Sequence, residues 1–329
     1  MRFLITGITG FAARHLAERL LADGHEVFGT TRDGPEARAT PVPPDHLLTA
    51  RLDDRQRLAD LVRTLRPDGV FHLAALTNVA ASFADPEETY RTNLLGSVNL
   101  FAAVQSAAVR CRVVWIGSSA AYGHVEPDEL PVSERNVFRP LSPYAVSKAA
   151  ADLAAFQWAR TQALDVVRLR PFNHTGPGQA PLYVCADFAR QVVEVERGRR
   201  PPRIDVGDLD VVRDLSDVRD VVRGYILGFT RGQCGEAYNV CSGIARTPRE
   251  ILAALLQLAG VNATVAVRPD RQRATDTRAC VGTAAKLYAA TGWTPAIPWE
   301  QTLRDLLDDW RRRTEFSSQE SGARTGHFS

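Results

Sequence analysis

Phe3-Leu4-Ile5-Thr6-Gly7-Ile8-Thr9-Gly10-Phe11-Ala12-Ala13 stands almost at the start of the chain. Four residues, three of them apolar, form a short strand that stops at a glycine. Gly7, Gly10 and Ala13 recur at every third position, and a helix follows with Leu16, Ala17, Leu20 and Leu21 on one face and an end near Gly24. Small residues between a strand and a helix let the backbone come close to a pyrophosphate, and the helix N-terminus offers free N–H groups. A tight strand–helix turn has the same look. The place of this one, directly after an apolar strand and opening an amphipathic helix, selects the phosphate loop.

Working outward, strands and helices alternate. Glu26–Thr30 is a second strand and His46–Thr49 a third, followed by a helix through Leu58, Leu61 and Leu65. Gly69–Ala74 and Arg112–Gly117 are continuous apolar runs, as in parallel strands covered on both faces. Asn93–Ala108 and Ser147–Gln162 read as helices, and Asp165–Arg170 as a strand. The pattern predicts an α/β fold, a Rossmann-type doubly wound parallel sheet. After Pro171 the elements shorten. Residues 1–170 are assigned to a dinucleotide-binding domain with a return segment near 210–241. Residues 171–209 and 242–314 are assigned to a smaller C-terminal α/β substrate lobe. Residues 315–329, polar and without apolar periodicity, are assigned to a mobile tail.

The 329 residues are 45% hydrophobic and 24% charged, which excludes a disordered chain. The 40 basic and 38 acidic residues nearly cancel, so binding to nucleic acid through bulk charge is excluded. No apolar run reaches the ~18–20 residues of a membrane span, and no signal-peptide pattern precedes Gly7. Five cysteines (Cys111, Cys185, Cys234, Cys241, Cys280) without CxxC spacing read as reduced core thiols of a cytoplasmic protein, with no metal site.

The second strand ends Gly29-Thr30-Thr31-Arg32, where an NAD site usually carries an acid for the ribose 2′-hydroxyl. Arg32 can instead pair with a 2′-phosphate, so NADP(H) is preferred and NAD(H) remains usable. Arg32 as a solvated loop residue is the competing view, and Asp33 would repel a phosphate if it pointed inward. Only Lys148 and Lys286 are lysine; every other basic residue is arginine. Lys148 follows Tyr144 by four positions on one helix face. An ammonium near a phenol favours phenolate and brings the tyrosine down from ~10 toward the working pH, so that it can exchange a proton with an alkoxide. Lys286 lacks such a partner and reads as a surface residue. Ser118 and Ser119 end the strand Arg112–Gly117 at the crevice side, where either hydroxyl can hold a substrate oxygen.

Several stretches together resemble the extended short-chain dehydrogenase/reductase family, in its nucleotide-sugar branch. They are Thr6–Ala13, Phe71–Ala75, Asn93, Gly117–Gly123, Ser142–Lys148 and Arg170–Asn173. Pro171–Gln179, Arg213–Val218, Tyr238–Gly243 and Ala290–Trp293 resemble the members that act on GDP-4-keto-6-deoxy-mannose, the reductases above all. The resemblance spans about residues 1–313. It implies catalytic Ser118, Tyr144 and Lys148. It implies cofactor contacts from Gly7, Thr9, Gly10, Phe11, Ala12, Arg32, Leu52, Leu73, Ala74, Ala75, Asn93, Tyr144, Lys148 and Pro171, with Asn93 helping to position the lysine. Ser119, Asn173, Arg213 and Arg273 are implied at the substrate, the last three at its diphosphate. The implied activity is that of an NADPH-dependent 4-ketoreductase of a nucleotide-diphosphate 4-keto-6-deoxyhexose, GDP-linked, giving a GDP-6-deoxyhexose of the GDP-rhamnose type, in a homodimer. The same fold and triad would also serve a 4-epimerase or a 4,6-dehydratase; a non-catalytic NADP sensor would keep the glycine loop and lose the triad. Two departures stand out. Arg51-Leu52 occupies the place of an acid–apolar pair that touches adenine in relatives. Ala120 and Ala121 follow the serine where dehydratases carry a carboxylate, and alanine moves no proton.

Overall fold

A computed structural model describes residues 1–32, 40–271 and 278–324 of the chain; Asp33 and Arg273 lie outside them. The first half runs β1 (Arg2–Thr6), α1 (Phe11–Ala22), β2 (Glu26–Thr31), β3 (Leu47–Thr49), α2 (Arg55–Leu65), β4 (Gly69–His72), α3 (Val79–Ala84), α4 (Pro86–Tyr90), α5 (Gly96–Ser106), β5 (Arg112–Ile116), α6 (Pro143–Thr161) and β6 (Val166–Pro171). It continues with β7 (Asn173–Thr175), α7 (Val184–Glu196), β8 (Arg203–Val206), β9 (Val212–Asp217), α8 (Val218–Arg231), β10 (Ala237–Val240), β11 (Ala245–Arg246), α9 (Pro248–Ala259), β12 (Thr264–Val267), β13 (Ala279–Cys280), α10 (Ala285–Thr291) and α11 (Trp299–Arg324).

The large sheet has seven strands in the order β10-β6-β5-β4-β1-β2-β3, and every pairing is parallel. From β1 the chain winds outward through β2 and β3, then crosses back to β4 and winds the other way. That reversal opens a crevice at the C-terminal ends of β1 and β4. Both faces of the sheet are covered, which is why β4 and β6 are buried at every position. Leu16, Leu20, Val221, Val222 and Phe229 of α1 and α8 cover one face. Leu58, Val62, Leu100, Phe101, Ala151 and Ala155 of α2, α5 and α6 cover the other. Each large apolar side chain so buried contributes about 1.5–3 kcal/mol. β10 forms the edge of the large sheet beside β6, and α8 packs with α1 on its face.

A third core joins α7, α9 and α11 over β8 through Phe188, Val192, Leu252, Leu255, Leu303 and Leu306. Beside it, β7 and β13 flank β9 in parallel while β11 pairs with it antiparallel. Among the described residues no helix is long and apolar enough to cross a membrane.

Three expectations change. The helix read as ending at Arg312 continues to Arg324, into the segment assigned to a mobile tail, because no glycine or proline interrupts the run before Gly322. The helix read over Asn93–Ala108 begins as a wide π turn at Arg91–Leu95 and becomes α-helical at Gly96. Cys234 is exposed rather than a core thiol, since it lies in the loop between α8 and β10; all five cysteines are free.

Candidate active site

A cleft of about 1280 Å³ runs along the C-terminal edge of the large sheet and under the third core. Its floor begins at Gly7, which has φ +70°, a conformation that glycine adopts without strain. A Cβ on Gly7 would also meet Ala74 Cα at 2.7 Å. The glycine loop and the loop after β4 are therefore in direct backbone contact. Gly10 caps α1 with no side-chain hydrogen bond, so the first-turn N–H groups are left for an anion. Thr9, Phe11, Ala12, Arg32, Leu52, Leu73, Ala74, Ala75 and Pro171 line the same cleft, as do Ser118, Ser119, Tyr144, Lys148, Asn173 and Arg213. These residues fit a dinucleotide: glycines where backbone must come close, a helix N-terminus at the turn, and an arginine past β2.

Tyr144 stands in the first turn of α6, which starts at Pro143, ahead of the Ser147–Gln162 span and in keeping with a Tyr144–Lys148 pair on one helix face. Ser142 caps it by accepting from Ala145 N–H at 3.1 Å. One face of α6 is pinned to β6 by buried Asp152. Its carboxylate accepts from Arg170 Nε at 2.9 Å and Nη2 at 2.8 Å, and from Arg168 Nη1. The Tyr144 phenol is hydrogen-bonded to Ser118. Ser118, two residues past the end of β5, caps a single turn at Ser119–Ala121, accepting from Ala120 N–H at 3.1 Å. Lys148 donates to Ile116 O at 2.8 Å, and its ammonium lies 5.4 Å from the Trp115 ring centre.

Burial pushes the Tyr144 phenol up to about 12, and its hydrogen bond with Ser118 opposes that only in part. The expectation that Lys148 lowers the phenol is thus not met: the ammonium is spent on the Ile116 carbonyl, and desolvation of the phenolate dominates. Burial also brings Lys148 down to about 8. The phenol is in its acid form at neutral pH, which suits a group that must give a proton away.

Asn93 does not line the cleft. Its buried amide accepts from Leu76 N–H at 2.8 Å and donates to Leu76 O at 2.9 Å and Ser147 Oγ at 3.0 Å. It braces the loop after β4 from behind and makes no side-chain bond to Lys148. On the opposite wall, Arg213 of β9 reaches the cleft while Asp214, next in the strand, faces the other way. There Asp214 accepts from Ser242 N–H (2.8 Å), Ser242 Oγ (2.6 Å), Gly243 N–H (2.8 Å) and Gly282 N–H (3.2 Å).

His174, Tyr183 and Thr77 line the cleft and were not singled out from the sequence. His174 stacks on Phe11 with ring centres 6.0 Å apart and donates from Nδ1 to Phe172 O at 3.0 Å. Tyr183 Oη and Thr77 Oγ1 meet at 3.1 Å across 106 residues of chain, joining the loop after β4 to the start of α7. Arg51 forks onto Asp53 at 3.0 and 2.8 Å and holds that carboxyl below the usual range. His174 lay inside the quoted Pro171–Gln179 stretch and was the one local signal available; Tyr183 and Thr77 are brought together only by the fold.

The family model described as GDP-mannose 4,6 dehydratase matches residues 4–306. The GDP-6-deoxy-D-mannose reductase of Pseudomonas aeruginosa is 38% identical, over 95% of this chain and 98% of that protein. The UDP-glucose 4-epimerase of Mycolicibacterium smegmatis is 29% identical, over 96% of this chain and 100% of that protein. A solved structure of RMD from Pseudomonas aeruginosa complexed with NADPH superposes with TM-score 0.82 at 36% identity, covering 95% of this chain and 99% of that one. With its parallel sheet, its glycine loop and its serine, tyrosine and lysine in one cleft, the chain belongs to the GDP-mannose 4,6 dehydratase family of extended short-chain dehydrogenases/reductases.

Proposed function

We propose that this protein is an NADPH-dependent 4-ketoreductase of a nucleotide-diphosphate 4-keto-6-deoxyhexose, the GDP-linked sugar first, yielding a GDP-6-deoxyhexose of the GDP-rhamnose type. The observation that carries it is Ser118, Tyr144 and Lys148 together in one cleft, with Ala120 and Ala121 after the serine in place of a carboxylate. The 38% identity to a reductase over nearly the whole chain supports the same choice. NADPH, when bound, supplies the hydride for the carbonyl carbon.

This chain's residues do the rest. Ser118 Oγ donates to the substrate oxygen and holds it beside Tyr144. Tyr144 gives its proton to that oxygen as negative charge builds there. Lys148, whose buried ammonium donates to Ile116 O, holds the end of β5 in place beneath the reacting pair. Arg213 offers a charge-assisted fork to the diphosphate, with Asn173, Ser119 and Arg273 as further substrate contacts. Arg32 takes the 2′-phosphate; Gly7, Thr9, Gly10, Phe11 and Ala12 approach the pyrophosphate; Leu52, Leu73, Ala74, Ala75 and Pro171 shape the rest of the dinucleotide site. Removing water from a hexose needs a base and an acid as well as hydride transfer. Alanines after Ser118 supply neither, which favours ketone reduction alone.

Two reactions followed by mass spectrometry test this. The 4-keto-6-deoxy sugar nucleotide with NADPH should give stoichiometric NADPH oxidation and a product two hydrogens heavier. GDP-mannose with NADP⁺ should stay intact; loss of one water would make the protein a dehydratase. Isomerised product without net NADPH oxidation would make it a 4-epimerase. The assembly proposed is a homodimer in the cytoplasm, through α5 and α6. Exposed Val146, Leu153 and Phe156 on α6 and Leu95 beside α5 form an apolar face that a second copy would cover. Leu153→Arg should give a monomer in sedimentation; an unchanged dimer would place the interface elsewhere.

A further inference from the structure

Behind the cleft lies a chain of buried polar groups whose protons can be assigned one by one. Thr6, His72, Asn93, Ser97 and Ser147 are each at most 2% exposed, so every hydrogen-bonding atom among them needs a partner. Ser97 Oγ is 2.7 Å from Asn93 O, a carbonyl that can only accept, so the single Ser97 proton goes there. Ser97 Oγ also accepts from Trp115 Nε1 at 3.2 Å. His72 Nε2 at 3.0 Å must then donate to it. His72 Nδ1 is left without a proton and accepts from Thr6 Oγ1 at 2.7 Å. Thr6 Oγ1 in turn accepts from Ala74 N–H at 3.2 Å. At the other end, Asn93 Nδ2 donates to Ser147 Oγ at 3.0 Å, and Ser147 Oγ donates to Tyr144 O at 2.7 Å.

Only a neutral His72 protonated on Nε2 satisfies every member. The opposite tautomer leaves the Thr6 proton without an acceptor and takes the Ser97 proton away from Asn93. A cationic ring would strand the Thr6 proton as well and bury a second charge near Lys148; burial and Lys148 both hold the imidazole far below its ordinary value, at about 3.

We infer that His72, as the Nε2–H tautomer, is a positioning residue that sets the loop after β4, and with it the cofactor floor, in register with the backbone of Tyr144. The ends of the chain locate the effect. Ala74 is the residue that Gly7 touches, Leu76 is gripped by the Asn93 amide, and Tyr144 carries the reacting phenol. The hydrogen bonds run from Ala74 to Tyr144 through side chains of β1, β4, α5 and α6 and the π turn. No proton needs to travel along them. The inference rests on the proposed reading of Tyr144 as the acid and of residues 73–76 as the cofactor floor.

Two measurements test it on the intact enzyme. Long-range ¹H–¹⁵N correlation of the imidazoles, with His72 assigned by the resonance that moves in Ser97→Ala, should show a neutral ring protonated on Nε2 near neutral pH. A ring protonated on Nδ1, or a cation, overturns the proton assignment. Thr6→Val keeps the side-chain shape and removes the hydroxyl that links Ala74 to His72. In the folded variant, checked by circular dichroism, NADPH affinity read by cofactor fluorescence should fall about tenfold, the size of leaving a buried partner unsatisfied. The KM for the sugar nucleotide should stay within about twofold, a split that a general loss of stability does not produce. His72→Gln, which still donates to Ser97, should lose less NADPH affinity than His72→Leu. Wild-type NADPH affinity in folded Thr6→Val, or equal losses in both His72 variants, overturns the positioning role. Should the unmodified enzyme reduce no 4-keto sugar and still show this tautomer and the Thr6→Val loss, the proposed reaction fails and the positioning role stands.

Discussion

The two walls of the cleft are built in different ways. The wall at Gly7–Ala13 works with backbone: a glycine at φ +70°, an uncapped helix N-terminus, and a loop that touches the glycine. Its parts are neighbours in sequence or meet across one strand pairing, β1 with β4. The wall at Arg213 works with side chains held out from β9, whose partners β7, β11 and β13 come from three separate stretches of chain. A pyrophosphate common to all dinucleotides can be met by backbone N–H groups. A particular sugar nucleotide has to be met by particular side chains. Between the walls, Ser118 follows β5, Tyr144 and Lys148 belong to α6, and Asp152 ties that helix to the sheet. Substitutions at these places should therefore differ in what they damage as well as in how much.

The largest effect is expected between the walls. Tyr144→Phe removes the acid and keeps the ring, so turnover should fall on the order of 10²–10⁴ with both ligands still bound. Stopped-flow reduction together with binding titrations checks this; near-normal turnover would remove the tyrosine from the mechanism. Because the phenol sits at about 12, its acid form persists through the neutral range. Reduction should accordingly show no loss from tyrosine ionisation until strongly alkaline pH, where the proton donor disappears as pH rises through that value.

Gly7→Ala should come next and strike the backbone wall alone. The new Cβ would stand 2.7 Å from Ala74 Cα at a left-handed φ, a strain of about 1–3 kcal/mol. NADPH affinity should drop roughly ten- to a hundredfold with the sugar-nucleotide site intact, as isothermal titration of each ligand would report. An equal loss for both ligands would mean that the walls are coupled more tightly than their construction suggests.

Arg213→Ala should strike the other wall. A charge-assisted pair with a phosphate contributes about 1.5–3 kcal/mol, so the KM for the sugar nucleotide should rise ten- to a hundredfold while that for NADPH holds. If sugar-nucleotide affinity does not move, β9 does not meet the diphosphate. Arg32→Ala is expected to be the mildest, since this residue stands past the end of β2 at the open side of the cleft. A loss of about tenfold for NADPH and little for NADH would sharpen the backbone wall's one side-chain contribution. Equal losses for both would leave the 2′-phosphate without a partner at this position.

Much of the glycine wall was legible from residue spacing because it is local. Glycines, a helix start and an apolar strand lie within one short run, and each imposes its geometry on the next few residues. The Tyr144–Lys148 pair was legible for the same reason, being one turn of a helix apart. The substrate wall was visible only in part. Arg213 stood out through the Arg213–Val218 run, while Tyr183 and Thr77 carry no local pattern that would join them. Asn93 was assigned to the cofactor and the lysine, and the fold turns its amide to Leu76 and Ser147. The wide π turn at Arg91–Leu95 decides that orientation, and apolar periodicity does not report it.

By itself the order of residues determined the alternation of strands and helices, the glycine turn between β1 and α1, and the pairing of Tyr144 with Lys148 on one helix, because these follow from period, spacing and chemical type. Only the tertiary structure decided the charge state and direction of those groups. Burial holds Tyr144 protonated against the influence expected of Lys148, whose ammonium is given to Ile116 O at 2.8 Å. The tautomer of His72 was likewise decided by two hydroxyls, 66 residues before it and 25 after it, at 2.7 and 3.0 Å. Desolvation and hydrogen-bond direction depend on what surrounds an atom in space, and those neighbours are distant in the chain.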